Sequence, residues 1–143
     1  MKSIIKTADT KEIKTILSTL WIVVMFNMAF ADILGLFEPG ILEQIMKGSV
    51  DDLHFTSELM LVMAFVLEIP IAMIILSRIL KYKANRLANI IASVLTILFI
   101  IGGASLTPSY LFFATAEVVC IIFIILITWG WSNTEDRPNN LAN

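Results

Sequence analysis

A chain of 143 residues that is 58% hydrophobic and only 15% charged, with mean hydropathy +0.88, lies outside the range of soluble domains. Those run at roughly 45–50% apolar and 25% charged, so the composition is that of a membrane protein. The net charge of −2, with no basic face interleaved with aromatics, speaks against nucleic-acid binding, and the single cysteine, Cys120, rules out an intrachain disulfide.

Met1 to Lys14 is polar and basic, and Asp9 followed by Glu12 has the spacing of a capping box, which places a helix start near Thr10. The apolar run from Ile16 to Phe37, interrupted by Asn27 and Asp32, has the length of about 20 residues that a spanning helix needs. A basic start, an apolar stretch and Ala29-Phe30-Ala31 also match a cleavable signal peptide. The long polar start and the continuation through Ile33, Leu34 and Leu36 favour a retained span. Glu38 to Phe55 reads as an acidic loop opened by Pro39-Gly40, in which Ile41 to Lys47 forms a short amphipathic turn on the membrane surface.

Thr56 or Ser57 caps the second span, with Glu58 in its first turn. Within that span Leu67-Glu68-Ile69-Pro70 places a carboxylate and a helix breaker two residues apart in an apolar run. A charge there costs about 2.5–3.5 kcal/mol on insertion scales, and Pro70 leaves the Val66 carbonyl without its amide partner. Arg78, Lys81, Lys83 and Arg86 make a basic loop before the third span, and Thr107-Pro108-Ser109 is a short turn into the fourth. The expected spans are about 15–37, 57–79, 87–106 and 110–131 in one membrane domain over 1–131, followed by a polar tail at 132–143.

Nine of the ten basic residues fall in the N-terminal segment, the second loop or the tail, and only Lys47 falls on the opposite side. The positive-inside rule then gives a multi-pass protein of the cell inner membrane with both termini cytoplasmic. Trp129, Trp131 and Tyr110 are expected in the interfacial belts. The fold class is all-α: an integral membrane four-helix bundle of left-handed, up-down topology.

Three-and-four spacing draws one stripe on each span. These read Ser18, Trp21, Met25, Met28, Asp32, Gly35; Glu58, Leu61, Phe65, Glu68, Ala72; Arg86, Asn89, Ser93, Thr96, Ile100, Gly103; and Tyr110, Phe113, Glu117, Cys120, Ile124. Charged and amide side chains face lipid only at a cost, so the stripes are expected to meet in the centre. At about 1.5 Å per residue Asp32 lies nearest the outer surface, Glu117 deeper, Glu68 near the midplane, and Asn89 towards the cytoplasm. Asp32, Glu68 and Glu117, with Asn89, Ser93 and Thr96, form the candidate binding pocket, and Pro70 is its helix break.

Each residue also has a plainer role. Buried acids and amides join helices for about 0.6 kcal/mol per contact, and Asn89, Ser93 and Thr96 suit helix packing. Asn27 lies about 140° around the helix from Asp32 and faces a neighbouring helix. The methionines read as filler, Cys120 as a packed thiol, and His54, near Asp51 and Asp52, as a solvated loop histidine. No phosphate-cradling loop, CxxC, HExxH or GxSxG motif is present, and neither a metal site nor a cofactor is expected.

Leu17-Ser18-Thr19-Leu20-Trp21-Ile22, Glu68-Ile69-Pro70 with Ala72-Met73, and Asn85-Arg86 with Ala88-Asn89-Ile90 give the chain a resemblance. It resembles a family of small bacterial four-span membrane proteins known only as a domain of unknown function. The likeness runs from Leu17 to Trp131 and implies fold and location; it implies no catalytic role.

Three functions compete. A non-enzymatic binding or assembly module takes a small apolar ligand, a membrane protein partner or a second copy, using the Ala84, Ala88, Ala92 row as a close-packing face. A proton- or cation-coupled carrier, acting as an oligomer, uses the intramembrane acids as its coupling site. A membrane enzyme on an apolar substrate, with one of the same acids as acid or base, ranks last.

Overall fold

In the computed structural model, residues 10–50, 53–103 and 105–131 are described. The chain folds as α1 (Thr10–Gly35), α2 (Ile41–Met46), β1 (Ser49–Val50), β2 (Leu53–His54), α3 (Ser57–Ile79), α4 (Tyr82–Gly102) and α5 (Pro108–Gly130). α1, α3, α4 and α5 are each long and apolar enough to cross a membrane. They form an all-α four-helix bundle in which α1 packs on α3 and α5, and α4 packs on the same two. α1 and α4 therefore stand across the bundle diagonal.

The helix ends follow from local chemistry. The Leu59 amide donates to the Thr56 hydroxyl at 3.2 Å, so Thr56 caps α3, and Pro108 occupies the first turn of α5, where a missing amide hydrogen costs nothing. α3 and α4 are joined so tightly that Asn85 of α4 satisfies the last turn of α3, donating to the Ser77 carbonyl at 2.6 Å. α4 starts at Tyr82, earlier than the expected Leu87, so Lys83 and Arg86 belong to its first turns.

Between α1 and α3 the chain makes α2 and a two-stranded antiparallel hairpin that pairs Ser49 with His54. Gly40 (φ 86°) and Gly48 (φ 84°) begin and end α2 in the left-handed region. A Cβ at Gly48 would meet no atom within 4 Å, so Gly48→Ala should cost only the conformational penalty of about 1–2 kcal/mol. Faster amide exchange at Phe55, which donates to the Gly48 carbonyl at 2.9 Å, would show it.

The core contains Leu17, Trp21, Val24, Met73, Ile121 and Ile124, together with an unusual share of polar side chains: Ser18, Ser77, Asn85, Asn89, Ser93, Thr96, Glu117 and Thr128. Trp131 corrects its belt assignment. It is buried, with its ring edge-on to Tyr82 at 5.1 Å and its carbonyl accepting from the Tyr82 hydroxyl at 2.7 Å, whereas Trp129 stays exposed. The Ala84, Ala88, Ala92 row does not form one outward face, because steps of four residues drift by about 40° around a helix. Ala84 is exposed, Ala88 half-buried and Ala92 buried.

Candidate functional site

The predicted site residues fall into three places. The first is a polar network in the half of the bundle that holds the helix ends Thr10, Ile79, Tyr82 and Gly130, the terminal end. Asn89 Oδ1 accepts from Trp21 Nε1 at 2.7 Å and from the Ser77 hydroxyl at 3.4 Å. Its Nδ2 donates to the Asn85 carbonyl at 2.9 Å and to Asn85 Oδ1 at 2.6 Å. One amide thereby uses its full hydrogen-bonding capacity and ties α1, α3 and α4 together. Beside it Ser18 donates to the Ile74 carbonyl at 2.8 Å and accepts from Arg78 Nε at 2.9 Å. This cluster joins helices. Ser93 and Thr96 continue the buried face of α4 towards the other end; Thr96 bonds back to the Ala92 carbonyl at 2.8 Å, and the Ser93 hydroxyl has no partner among the described residues.

The second place is the opposite, hairpin end, where the structure brings Asp32 and Glu117 together. Both line a narrow recess of about 30 Å³ whose walls are Met28, Ala31, Phe99, Ile100 and Tyr110. Glu117 forms the deeper part. It is 3% exposed, and no described residue donates a hydrogen bond to it. Asp32 stands at the neck, because it also lines a vestibule of about 680 Å³ that covers the end of the bundle. The vestibule is lined by the apolar Leu36, Ile41, Ile45, Val50, Met63 and Leu106 and by the polar Glu38, Ser105, Thr107 and Ser109. Ser109 donates to Glu38 Oε1 at 3.0 Å and closes the rim between α5 and the segment after α1. Tyr110 donates to the Ile100 carbonyl at 2.5 Å, which fixes its ring against the recess.

The third place corrects the expected pocket. Glu68 does not meet Asp32 and Glu117; it is exposed on the outer face of α3, in a shallow groove with Leu61, Ala64 and Phe65. α3 turns Pro70, Met73 and Ser77 inward instead. Positions 68 and 70 are about 200° apart on a helix, so only one of the two unusual residues faces the core, and it is the proline. The stripe drawn through Glu58, Leu61, Phe65, Glu68 and Ala72 therefore runs down the outside.

The recess also contains two aromatics that the candidate set lacked. Tyr110 was legible, being seven residues before Glu117 on the same stripe, but it read as a belt residue. Phe99 carried no signal beyond its apolar run. Among the described residues no group of three or more histidine, cysteine or acidic side chains is placed to hold a metal. His54 is exposed in β2, while Asp51, Asp52 and Asp9 lie outside the described residues.

The model of a family of unknown function, DUF6326, matches residues 4–137, nearly the whole chain. The chain belongs to DUF6326. No curated protein and no solved structure matches it. Family membership and four apolar helices make this a multi-pass membrane protein, and any account of its activity has to rest on the geometry of the recess.

Proposed function

We propose that this protein is a non-enzymatic binding module of the cell inner membrane that receives a small ligand in the vestibule and grips its polar end in the recess between Asp32 and Glu117. The observation that carries this reading is Glu117, a carboxylate buried to 3% exposure yet given no hydrogen bond by any described residue. A buried acid without a partner is costly in hydrocarbon, and residues of that kind concentrate at ligand sites. The vestibule has the size of small-molecule sites, about 300–1,000 Å³. The basic residues Lys11, Lys14, Arg78, Lys81 and Lys83 gather at the terminal end, which favours a cytoplasmic location for both termini and an outward-facing vestibule.

Native mass spectrometry of the full chain in lipid nanodiscs tests the reading. Wild type should carry one bound small molecule, and Gly35→Trp should lose it. Gly35 lines the vestibule one helical turn from Asp32, and a Cβ there meets nothing within 4 Å, so a side chain at this position starts into open space and its bulk obstructs the approach to the recess. Identical spectra from both chains would overturn the assignment.

A proton- or cation-coupled carrier is the second reading, favoured by the same Glu117, buried and without a hydrogen bond from any described residue. Carriers place their coupling acids within the membrane between helices, as Glu117 lies here. Liposome flux abolished by Glu117→Gln would promote this reading, and absence of flux under proton and sodium gradients would remove it.

A further inference from the structure

We propose that the ligand class taken by the Asp32–Glu117 recess is a lipophilic primary amine, its ammonium head in the recess and its apolar body in the vestibule. The proposal rests on the reading of this recess as a binding site and adds the chemistry of what binds. Two carboxylates line the recess, and among the described residues no Lys, Arg or His lines it or the vestibule. Lys47, the described basic residue of the hairpin end, is engaged with Glu43 at 2.7 Å. No described residue supplies the charge that complements this site.

The walls decide which cation. A calcium ion takes 6–8 oxygen ligands, and even magnesium requires a full octahedron. The recess offers Asp32, Glu117 and a Tyr110 hydroxyl already committed to Ile100, and the rest of its wall is Met28, Ala31, Phe99 and Ile100. Such a wall leaves a bare metal ion under-coordinated. An alkylammonium asks for less: three donors, which two carboxylates satisfy, and aromatic rings, which attract cations within about 6 Å of their faces. Phe99 and Tyr110 supply the rings.

Size then selects the head. A water needs at least about 10–15 Å³ of such space, so about 30 Å³ admits one or two heavy atoms: a primary ammonium enters and a trimethylated one does not. The apolar residues of the vestibule, Leu36, Ile41, Ile45, Val50, Met63 and Leu106, give the body of the amine a surface to cover. Asp32, lining both cavities, meets the ammonium where it joins that body.

Calorimetric titration of the full chain in phosphatidylcholine nanodiscs tests this with 2-phenylethylammonium, its neutral isostere 2-phenylethanol, the trimethylated ammonium and sodium chloride as probes. The primary ammonium should bind at least tenfold more tightly than the alcohol and the trimethylated compound. Glu117→Gln should erase that preference, and sodium should not compete. If Glu117→Gln fails to fold, Gly35→Trp serves in its place: it keeps both carboxylates and should abolish binding by obstructing the way from the vestibule to the recess. Competition from added phosphatidylethanolamine would identify a lipid headgroup as the source of the amine and would support the class. Equal binding of the alcohol, or of the trimethylated compound, overturns the proposal. So does competition by sodium, and so does an absence of ammonium binding at millimolar concentration. If the native mass spectra still show a molecule lost on Gly35→Trp, the binding site stands and only the amine falls.

Discussion

Asn89→Leu should destabilise the protein by about 1–3 kcal/mol, although leucine is close in size and more apolar. The reason is what the substitution leaves behind. The Trp21 indole N–H, buried at 0% exposure, loses its acceptor at 2.7 Å, and Asn85 Oδ1 loses a donor at 2.6 Å. Neither group has water to turn to, so the penalty is that of stranded polar atoms rather than of a lost contact. Membrane hydrogen bonds average only about 0.6 kcal/mol and reach about 1.7. Asn89 should sit at the upper end, because its amide is saturated and joins three helices. A double-mutant cycle with Trp21→Phe separates the two accounts. If the indole is stranded, the second substitution costs at least about 1 kcal/mol less in the Asn89→Leu background than in wild type. Strictly additive losses in detergent unfolding would show that the Trp21–Asn89 bond contributes nothing.

The same residues show what a sequence of this kind reveals and what it conceals. Four spans are legible from length and hydropathy alone, because the bilayer imposes both. The buried face of α4 is legible too: Asn89, Ser93, Thr96 and Ile100 recur at helical spacing on an otherwise apolar helix, and the bundle interior is the one place that spacing suits. Which stripe meets which is a different matter. The indole of Trp21 reaches Asn89 across the diagonal, and that diagonal depends on the order in which the helices close the ring. The vestibule is less legible still, since Leu36, Glu38, Val50 and Leu106 come from connections whose path depends on tertiary packing. Asp32 and Glu117 were within reach because both lie towards the same end of antiparallel helices. Glu68 misled because depth was known and rotation was not.

Rotation makes the last expectation a sharp one. Glu68→Leu should leave the bundle intact and favour membrane insertion of α3 by about 3 kcal/mol, the difference on insertion scales between a mid-helix acid and leucine. The side chain makes no hydrogen bond to a described residue, stands beside exposed Leu61 and Phe65, and lies about 200° from buried Pro70. A leucine there extends an apolar surface that already exists. Detergent unfolding of the full chain should change by less than about 0.5 kcal/mol, as for surface positions generally, and the ligand retained by wild type should be retained by the variant. An acid that belonged to the interior would behave otherwise. Its removal would strand its partners and lower the unfolding midpoint. Loss of stability or of ligand in Glu68→Leu would mean that α3 is rotated in the membrane from the orientation described here, and that its carboxylate faces the other two acids after all.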